Sequence, residues 1–248
     1  MVVDCHALVG KGITWADPER EVDYDPAHLL EQSAQAGIDR ICVLSPRVTD
    51  YQAANRHIAR VCEQHPNKLI GFAVHSPQRE AGHVRQTLTE EVKSMGLRAV
   101  RSDGHPTREL LDTAADLDIP VIYDSKLNRG QGPARWYHMI ASTYPQVRFV
   151  LPHLGQYRSE NWWGHMEALD LVRRYPNVYV DTSGIGSLKY LETAVRELSP
   201  ERILFASFAP ELDPRVAMEA IRLMKLTSRQ YAKVMGGNVR ELLQGKGF

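Results

Sequence analysis

Short apolar runs and amphipathic segments alternate along the chain. Runs rich in valine, isoleucine, leucine and phenylalanine predict eight β-strands, at residues 2–8, 40–45, 69–75, 97–102, 120–125, 148–153, 178–183 and 203–208. Hydrophobic residues at helical spacing follow each run and predict helices at residues 26–36, 51–64, 81–95, 108–117, 134–144, 162–175, 188–198 and 214–226. Near-continuous apolar strands that alternate with helices are typical of a parallel sheet covered by helices.

Eight strand–helix units predict closure of this α/β sheet into a (β/α)8 TIM barrel. An open, doubly wound sheet is the alternative, but no GxGxxG or GxxxxGK[ST] pattern follows the first strand, as nucleotide-binding sheets of that kind require. Extra C-terminal helices are expected, with Asn238 as the N-cap of a last helix over residues 239–243. Without a linker or a repeat, residues 1–248 are predicted to form one domain.

The charge balance gives no reason to expect a nucleic acid or an anionic membrane as partner. Lysine and arginine together number 30, and so do aspartate and glutamate. No apolar stretch of about 18 residues and no secretory signal occurs, and the three cysteines lack a CxxC spacing. We therefore expect a cytoplasmic protein with a small-molecule substrate or ligand, no nucleic acid and no membrane contact.

The first strand brings an acid and a histidine towards its carboxyl end. Because side chains alternate along a strand, Asp4, His6 and Leu8 are predicted to share one face. In a parallel barrel, functional groups gather at the carboxyl ends of the strands. Polar residues occupy many of these predicted ends: His6, His75, Arg101, Asp103, Tyr123, Asp124, His153 and Asp181.

Some of these residues have alternative roles. Arg101 is a candidate for binding a substrate carboxylate, because its planar guanidinium matches a carboxylate bidentately. Pairing with Asp4 or Asp181 inside the barrel fits its position equally well. His75, beside a turn, could contact a ligand or a loop carbonyl. Asp181 could act in catalysis or accept hydrogen bonds from the backbone that follows it.

Several motifs, taken in order, resemble one known family. The chain resembles the amidohydrolase-related metal-dependent barrels, which include aminocarboxymuconate-semialdehyde decarboxylase and the resorcylate decarboxylases. The resemblance implies a TIM barrel, a hydrolase or decarboxylase acting on a small cyclic or aromatic carboxylate, and a homodimer. The motifs are Asp4-Cys5-His6, Gly96-Leu97-Arg98-Ala99-Val100-Arg101, Phe149-Val150-Leu151-Pro152-His153-Leu154-Gly155, Asn177-Val178-Tyr179-Val180-Asp181-Thr182-Ser183-Gly184 and Gly237-Asn238-Val239-Arg240-Glu241-Leu242-Leu243.

The chain departs from that family at three metal-ligand positions. The second histidine of the family's Asp-x-His-x-His is Leu8, the ligand histidine of strand five is Asp124, and the aspartate of Phe-Gly-Ser-Asp-x-Pro on strand eight is Phe208. The resemblance leaves His6 and Asp124 as metal ligands and gives His153 the place of the histidine that polarises the metal-bound water. One divalent metal, zinc or manganese, is therefore expected, or no metal at all.

Two hypotheses of different class follow. The polar strand ends favour a hydrolase or decarboxylase with an altered or lost metal site. The apolar residues at two ligand positions favour a catalytically silent relative that binds a ligand or pairs with an active member. Under the first hypothesis the catalytic residues are His153, Asp124 and Asp181, and the residues that bind substrate are Arg101, His75, Leu8 and Phe208.

Overall fold

The computed structural model describes residues 1–15, 17–123, 134–155, 157, 162–185 and 187–248. Its strands are β1 (Val3–Leu8), β2 (Gly10–Ile13), β3 (Glu21–Tyr24), β4 (Arg40–Leu44), β5 (Leu69–Gly71), β6 (Ala73–His75), β7 (Val100–Ser102), β8 (Val121–Tyr123), β9 (Phe149–Leu151), β10 (Val178–Asp181) and β11 (Ile203–Leu204). Its helices are α1 (Pro26–Ala36), α2 (Tyr51–Gln64), α3 (Val84–Lys93), α4 (Arg108–Leu117), α5 (Ala134–Thr143), α6 (Trp162–Arg174), α7 (Leu188–Glu197), α8 (Pro214–Leu223), α9 (Ser228–Ala232) and α10 (Asn238–Leu242).

The parallel strands close into a barrel. They pair in the orders β1-β4-β5 and β6-β7-β8-β9-β10-β11, and β5 and β6 form one barrel strand that is interrupted at Phe72. The barrel closes where β1 meets the segment after β11. There the amide of Cys5 donates to the carbonyl of Phe205 at 2.9 Å, and the amide of Leu8 donates to that of Ala209 at 2.8 Å. The predicted (β/α)8 barrel is confirmed.

The apolar core has two layers. The outer layer lies between the sheet and the surrounding helices and includes Ala7, Ala73 and Val100. The inner cluster fills the barrel and includes Phe72 and Ile122. In the part of the chain that the structure covers, no helix has both the length and the apolar content that a membrane crossing needs.

The C-terminal helices cover the end of the barrel opposite the strand tips. Asn238 does not cap the last helix, as the sequence suggested. It lies inside α10, and its side-chain amide donates to the carbonyls of Pro200 (2.6 Å) and Ile203 (2.8 Å) at the start of β11. This anchoring leaves the carboxyl ends of the strands open to functional residues.

Strict alternation fails in β1. Asp4 pairs with Ile41 and Ala7 pairs with Val43, so three steps along β1 oppose two steps along β4. Such a bulge reverses the faces that follow it. Leu8 consequently joins the inner cluster together with Val3 and Cys5, which the alternation had placed on the opposite face.

A hairpin that the sequence did not predict lies at the carboxyl end of β1. Strands β2 and β3 pair antiparallel, and Ile13 pairs with the backbone of Arg47 after β4. The buried carboxylate of Glu211 accepts hydrogen bonds from the hydroxyls of Thr14 and Tyr24. The hairpin is therefore fastened to both the second and the last barrel loops.

Candidate active site

Three buried side chains form a continuous hydrogen-bonded series at the ends of β1, β7 and β10. Nη1 of Arg101 lies 2.8 Å from Nε2 of His6, and Nδ1 of His6 lies 3.0 Å from Oδ2 of Asp181. A guanidinium can only donate, so Nε2 of His6 accepts and its ring proton is on Nδ1, which donates to Asp181. His6 is thus a neutral imidazole between a cation and a carboxylate.

The carboxylate of Asp181 is surrounded by donors. Oδ1 accepts the backbone amides of His153 (2.8 Å) and Ser183 (2.9 Å) and the hydroxyl of Ser183, while Oδ2 accepts from His6. Burial by itself raises the pKa of Asp181, but the hydrogen bond from His6, the electrostatic effect of the His6 and His153 rings and the hydrogen bond from Ser183 outweigh it and hold the pKa well below its usual range. Asp181 therefore orients two histidines and is a poor proton acceptor.

His153 lies two residues after the end of β9, in a turn with left-handed backbone. Its φ is 60°, a region that histidine enters more often than most residues. Nδ1 lies 2.7 Å from the hydroxyl and 3.0 Å from the carbonyl of Ser183. Since Nδ1 is held there, any proton that His153 exchanges with a substrate passes through Nε2. The His153 ring lies stacked against that of His6, with centroids 5.4 Å apart.

Leu8 and Phe208, the two apolar residues at positions where the resembled family has ligands, are both buried. The ring of Phe208 meets His6 and His153 edge on, with centroids 5.1 and 4.9 Å apart. Its φ of 65° is unusual for a bulky side chain and marks a strained backbone. Leu8 lies in the inner apolar cluster. One side of the histidine pair is consequently covered by carbon.

The guanidinium of Arg101 is held in place by an aromatic ring. Its Cζ lies 3.8 Å from the ring centre of Trp15, whose Nε1 donates to the carbonyl of Ser45 at 3.1 Å. Arg47 stacks on the same ring at 4.7 Å. Stacking of this kind fixes the plane of a guanidinium and keeps its charge. Arg101 is therefore a positioned, fully buried cation.

A cleft of about 810 Å³ lies between the β2–β3 hairpin and the segment that follows β4. Arg47, Tyr51, Arg79 and Asp103 contribute to its lining, and the Tyr51 hydroxyl donates to Asp103 at 2.5 Å. Burial and the Asp103 carboxylate raise the pKa of Tyr51. The volume is in the range of small-molecule sites, which is about 300–1,000 Å³. Arg47 lines the cleft and stacks on Trp15, the ring that also covers Arg101, so Trp15 separates the cleft's Arg47 from the buried cation.

The structure does not bring His75 into this group. Nδ1 of His75 lies 3.2 Å from Glu80, and Nε2 lies 2.7 Å from Glu91. Burial by itself lowers the pKa of His75, but the hydrogen bonds to the two carboxylates raise it to about 9. His75 shares the outward face of β6 with Ala73, and as an imidazolium it ties the barrel strand to Glu91 of α3, away from the group around His6.

Asp4 does not pair with Arg101 either. Its carboxylate accepts the amide of Ser207 at 3.0 Å, the amide of His6 at 3.1 Å and the Ser207 hydroxyl. Burial raises the pKa of Asp4 to about 6. Asp4 thus joins β1 to the segment after β11 and supports His6 from the backbone side.

Of the remaining predictions, Asp124 lies outside the described residues. Sequence reasoning missed Ser183 and Trp15, which position His153 and Arg101. Ser183 follows Asp181 by two residues, a spacing at which an aspartate commonly accepts the following amide, so a signal was present. Trp15 lies in a loop of the unpredicted hairpin, and nothing in its sequence context pointed to Arg101.

The described residues do not fit a catalytic metal ion. The lone pair on Nε2 of His6 is already used by Arg101, and Leu8 and Phe208 offer no donor atoms. A catalytic zinc site generally uses three protein ligands and an open position. Among the residues the structure describes, no group of three or more histidine, cysteine, aspartate or glutamate side chains could hold an ion.

The family model described as amidohydrolase matches residues 3–244. The chain therefore belongs to the amidohydrolase family. No curated protein sequence matches it.

Solved structures share the fold at low sequence identity. A 2,6-dihydroxybenzoate decarboxylase complexed with 2,6-dihydroxybenzoate is 18% identical, with a TM-score of 0.74 and 98% of each chain covered. A dihydroxybenzoic acid decarboxylase from Polaromonas sp. with bound manganese and 2-nitroresorcinol is 16% identical, with a TM-score of 0.73 and 98% and 96% covered. A probable 2-pyrone-4,6-dicarboxylic acid hydrolase from Acinetobacter baumannii is 14% identical, with a TM-score of 0.72 and 98% and 99% covered. These likenesses establish the barrel fold.

Proposed function

We propose that the protein is a non-oxidative decarboxylase of a small aromatic or cyclic carboxylate. The observation that carries this proposal is the meeting of a fixed cation, Arg101, with the imidazoles of His6 and His153 beside the apolar ring of Phe208. A cation, a proton donor and an apolar surface are the parts that such a reaction needs. The substrates named for the two decarboxylases and the hydrolase of similar fold support this substrate class.

The reaction assigns a step to each of these groups. Arg101 binds the negatively charged oxygens of the substrate and orients it. His153 donates a proton from Nε2 to the ring carbon that bears the carboxylate, forming a C–H bond. The C–C bond to the carboxylate then breaks, its electron pair returns to the ring, CO2 leaves, and water returns the proton to His153. Asp181 and Ser183 hold the histidines, and Asp124 is a further acid or base in this proposal.

Decarboxylation is preferred over hydrolysis because of what surrounds the histidines. Hydrolysis requires an activated water molecule beside the base, whereas Phe208 presents carbon to both imidazole rings. Decarboxylation requires only that a proton be delivered, and an apolar surface favours the conversion of a carboxylate into neutral CO2.

The test is a panel of hydroxybenzoates, benzene dicarboxylates and pyrone carboxylates. CO2 release and the decarboxylated product are measured for each compound, and the reaction is repeated in D2O. One deuterium should appear at the carbon that lost CO2. Product formation with water incorporated, from an ester or lactone, would indicate the hydrolase instead. Absence of turnover across the panel, with binding retained, would support the silent relative.

The second candidate function is that of a catalytically silent relative that binds a ligand, because the buried polar side chains hydrogen-bond within their own group. His6, Arg101 and Asp181 are each at most 1% exposed, and His6 hydrogen-bonds to both of the others. A purely binding protein would retain ligands in the cleft lined by Arg47 and Tyr51 without converting them. Calorimetry with the same panel separates binding from catalysis.

The proposal includes a homodimer of one-domain subunits in the cytoplasm. The family resemblance supports the dimer, and Cys5, Cys42 and Cys62, which are free thiols, suit a reducing compartment. Light scattering after gel filtration measures the subunit number directly.

A further inference from the structure

We infer that the guanidinium of Arg101 takes the place of the divalent cation that the family resemblance implies, supplying a fixed positive charge at Nε2 of His6 and excluding a metal ion from that nitrogen. The charge and its place follow from the contacts of Arg101. Its use in binding a substrate carboxylate rests on the proposed decarboxylase activity, whereas the exclusion of metal does not.

The first support is the lone pair of His6. A neutral imidazole has one unprotonated nitrogen, and that nitrogen can either accept a hydrogen bond or bind a metal. In His6 it lies 2.8 Å from Nη1 of Arg101. Nδ1 cannot replace it, because its proton is donated to Asp181. A metal at His6 would have to displace Arg101.

The second support is that packing and hydrogen bonding fix the position of the Arg101 guanidinium. Trp15 covers its guanidinium plane at 3.8 Å, and the residue is fully buried on an inward face of β7. Its charge is compensated through His6 by the ionised carboxylate of Asp181. A metal ion entering beside His6 would place two positive charges next to each other with little water between them, which is unfavourable in a buried site.

The third support is that two further ligand positions of the family pattern changed in the same direction. Leu8 and Phe208 replace two donors of the family pattern by carbon. Phe208 packs against both His6 and His153. Replacing two metal ligands by carbon and placing a cation on His6 are consistent changes, since each lowers affinity for a metal.

The test restores the missing ligands with and without Arg101. One protein carries Leu8→His and Phe208→Asp, and a second carries these two changes together with Arg101→Met. Methionine keeps most of the side-chain length and removes the charge. Zinc and manganese per chain are measured by plasma mass spectrometry after dialysis against each ion, and thermal unfolding is followed with and without added ion.

We expect the wild-type protein and the two-site variant to retain less than about 0.1 ion per chain, and the three-site variant, with three ligands, to retain about one. Its Tm should rise by about 5 °C or more at an ion concentration near 100 times Kd. Stoichiometric metal in the wild-type protein or in the two-site variant would overturn the inference, as would a folded three-site variant that binds no metal.

Arg47 provides the matched control. It also stacks on Trp15 but does not contact His6. Arg47→Met, combined with the same two restored ligands, removes a nearby charge and should leave metal binding absent. If it restored binding, charge in general and not the contact with His6 would be the cause.

A second measurement covers the case in which the three-site variant does not fold. In wild-type protein labelled with 15N-histidine, zinc should leave the ring nitrogen resonances of His6 unchanged. A zinc-dependent shift of Nε2 would overturn the inference. Neither measurement depends on turnover, so failure of the decarboxylase proposal would leave this result interpretable.

Discussion

The backbone amide of His153 donates to Oδ1 of Asp181 at 2.8 Å. Asp181, the last residue of β10, therefore fixes the turn that follows the neighbouring strand β9. The other oxygen of the same carboxylate receives the proton of His6. One aspartate therefore sets the backbone of one histidine and the tautomer of the other. Both carboxylate oxygens of Asp181 must therefore accept hydrogen bonds for the two histidines to keep these positions.

Replacing Asp181 by asparagine should be strongly destabilising. An amide directed at Nδ1 of His6 would force the ring proton onto Nε2, where it would meet the N–H of Arg101. The opposite rotamer would direct the amide towards the N–H groups of His153 and Ser183. Because either choice leaves buried donors facing each other, we expect a loss of about 2–5 kcal/mol in unfolding free energy, measured by urea denaturation.

Asp170→Asn is the matched control for that change. Asp170 forms an exposed ion pair with Arg174 one helical turn away, and its loss should cost less than about 1 kcal/mol. Equal losses for the two variants would argue against the proposed role of Asp181.

The barrel and much of the buried site could be predicted from sequence. Near-continuous apolar runs identify the strands, apolar residues at helical spacing identify the helices, and strand ends carry the functional residues of a parallel barrel. That reasoning brought His6, Arg101, His153 and Asp181 together. It could not predict which donor faces which acceptor, because this depends on the stagger of strands that are distant in sequence.

Two residues lie where the sequence did not place them, and each has a local physical cause. The bulge in β1 changes the face of Leu8, and a bulge depends on pairing with β4, which a single strand does not reveal. His75 was assigned to the site from its place at a strand end. The inner-cluster position of Val74 next to it shows that His75 points outward, where Glu91 of α3 meets it.

His153→Asn should remove activity and keep the fold. Asparagine tolerates the left-handed φ of 60° at this position, but it has no proton to exchange at neutral pH. If His153 is the proton donor, kcat should fall by about 10²–10⁴, as measured with the best substrate of the panel. The circular dichroism spectrum should remain that of the wild-type protein.

Two controls accompany the His153 variant. His138→Asn on α5 alters a half-buried histidine whose ring contacts Tyr175 and should leave kcat nearly unchanged. His153→Val should destabilise the protein, since a β-branched residue at positive φ is strained. Retained turnover in His153→Asn would rule out the assigned proton transfer.

Glu211→Ala should loosen the β2–β3 hairpin selectively. The carboxylate accepts the hydroxyls of Thr14 and Tyr24, so its removal leaves two largely buried donors without their acceptor. We expect amide exchange in residues 10–24 to accelerate by about tenfold, as measured by hydrogen–deuterium exchange mass spectrometry. Glu219→Ala on the exposed surface of α8 is the control, and uniform acceleration along the chain would contradict a local role.

The His75 imidazolium should make stability fall at alkaline pH. Its pKa is about 9 in the folded protein against 6.5 for the ordinary side chain, so the folded state holds this proton more tightly. The contribution is fully present below pH 6.5 and is lost as the pH rises through 9. Urea denaturation at pH 6, 7.5 and 9.5 should therefore show a decline of about 1–3 kcal/mol in the wild-type protein. His75→Asn should weaken this decline. The control His28→Asn, at an exposed site on α1, should retain it. If the unfolding free energies of the wild type and of His75→Asn fell in parallel with pH, another group would be responsible for the decline.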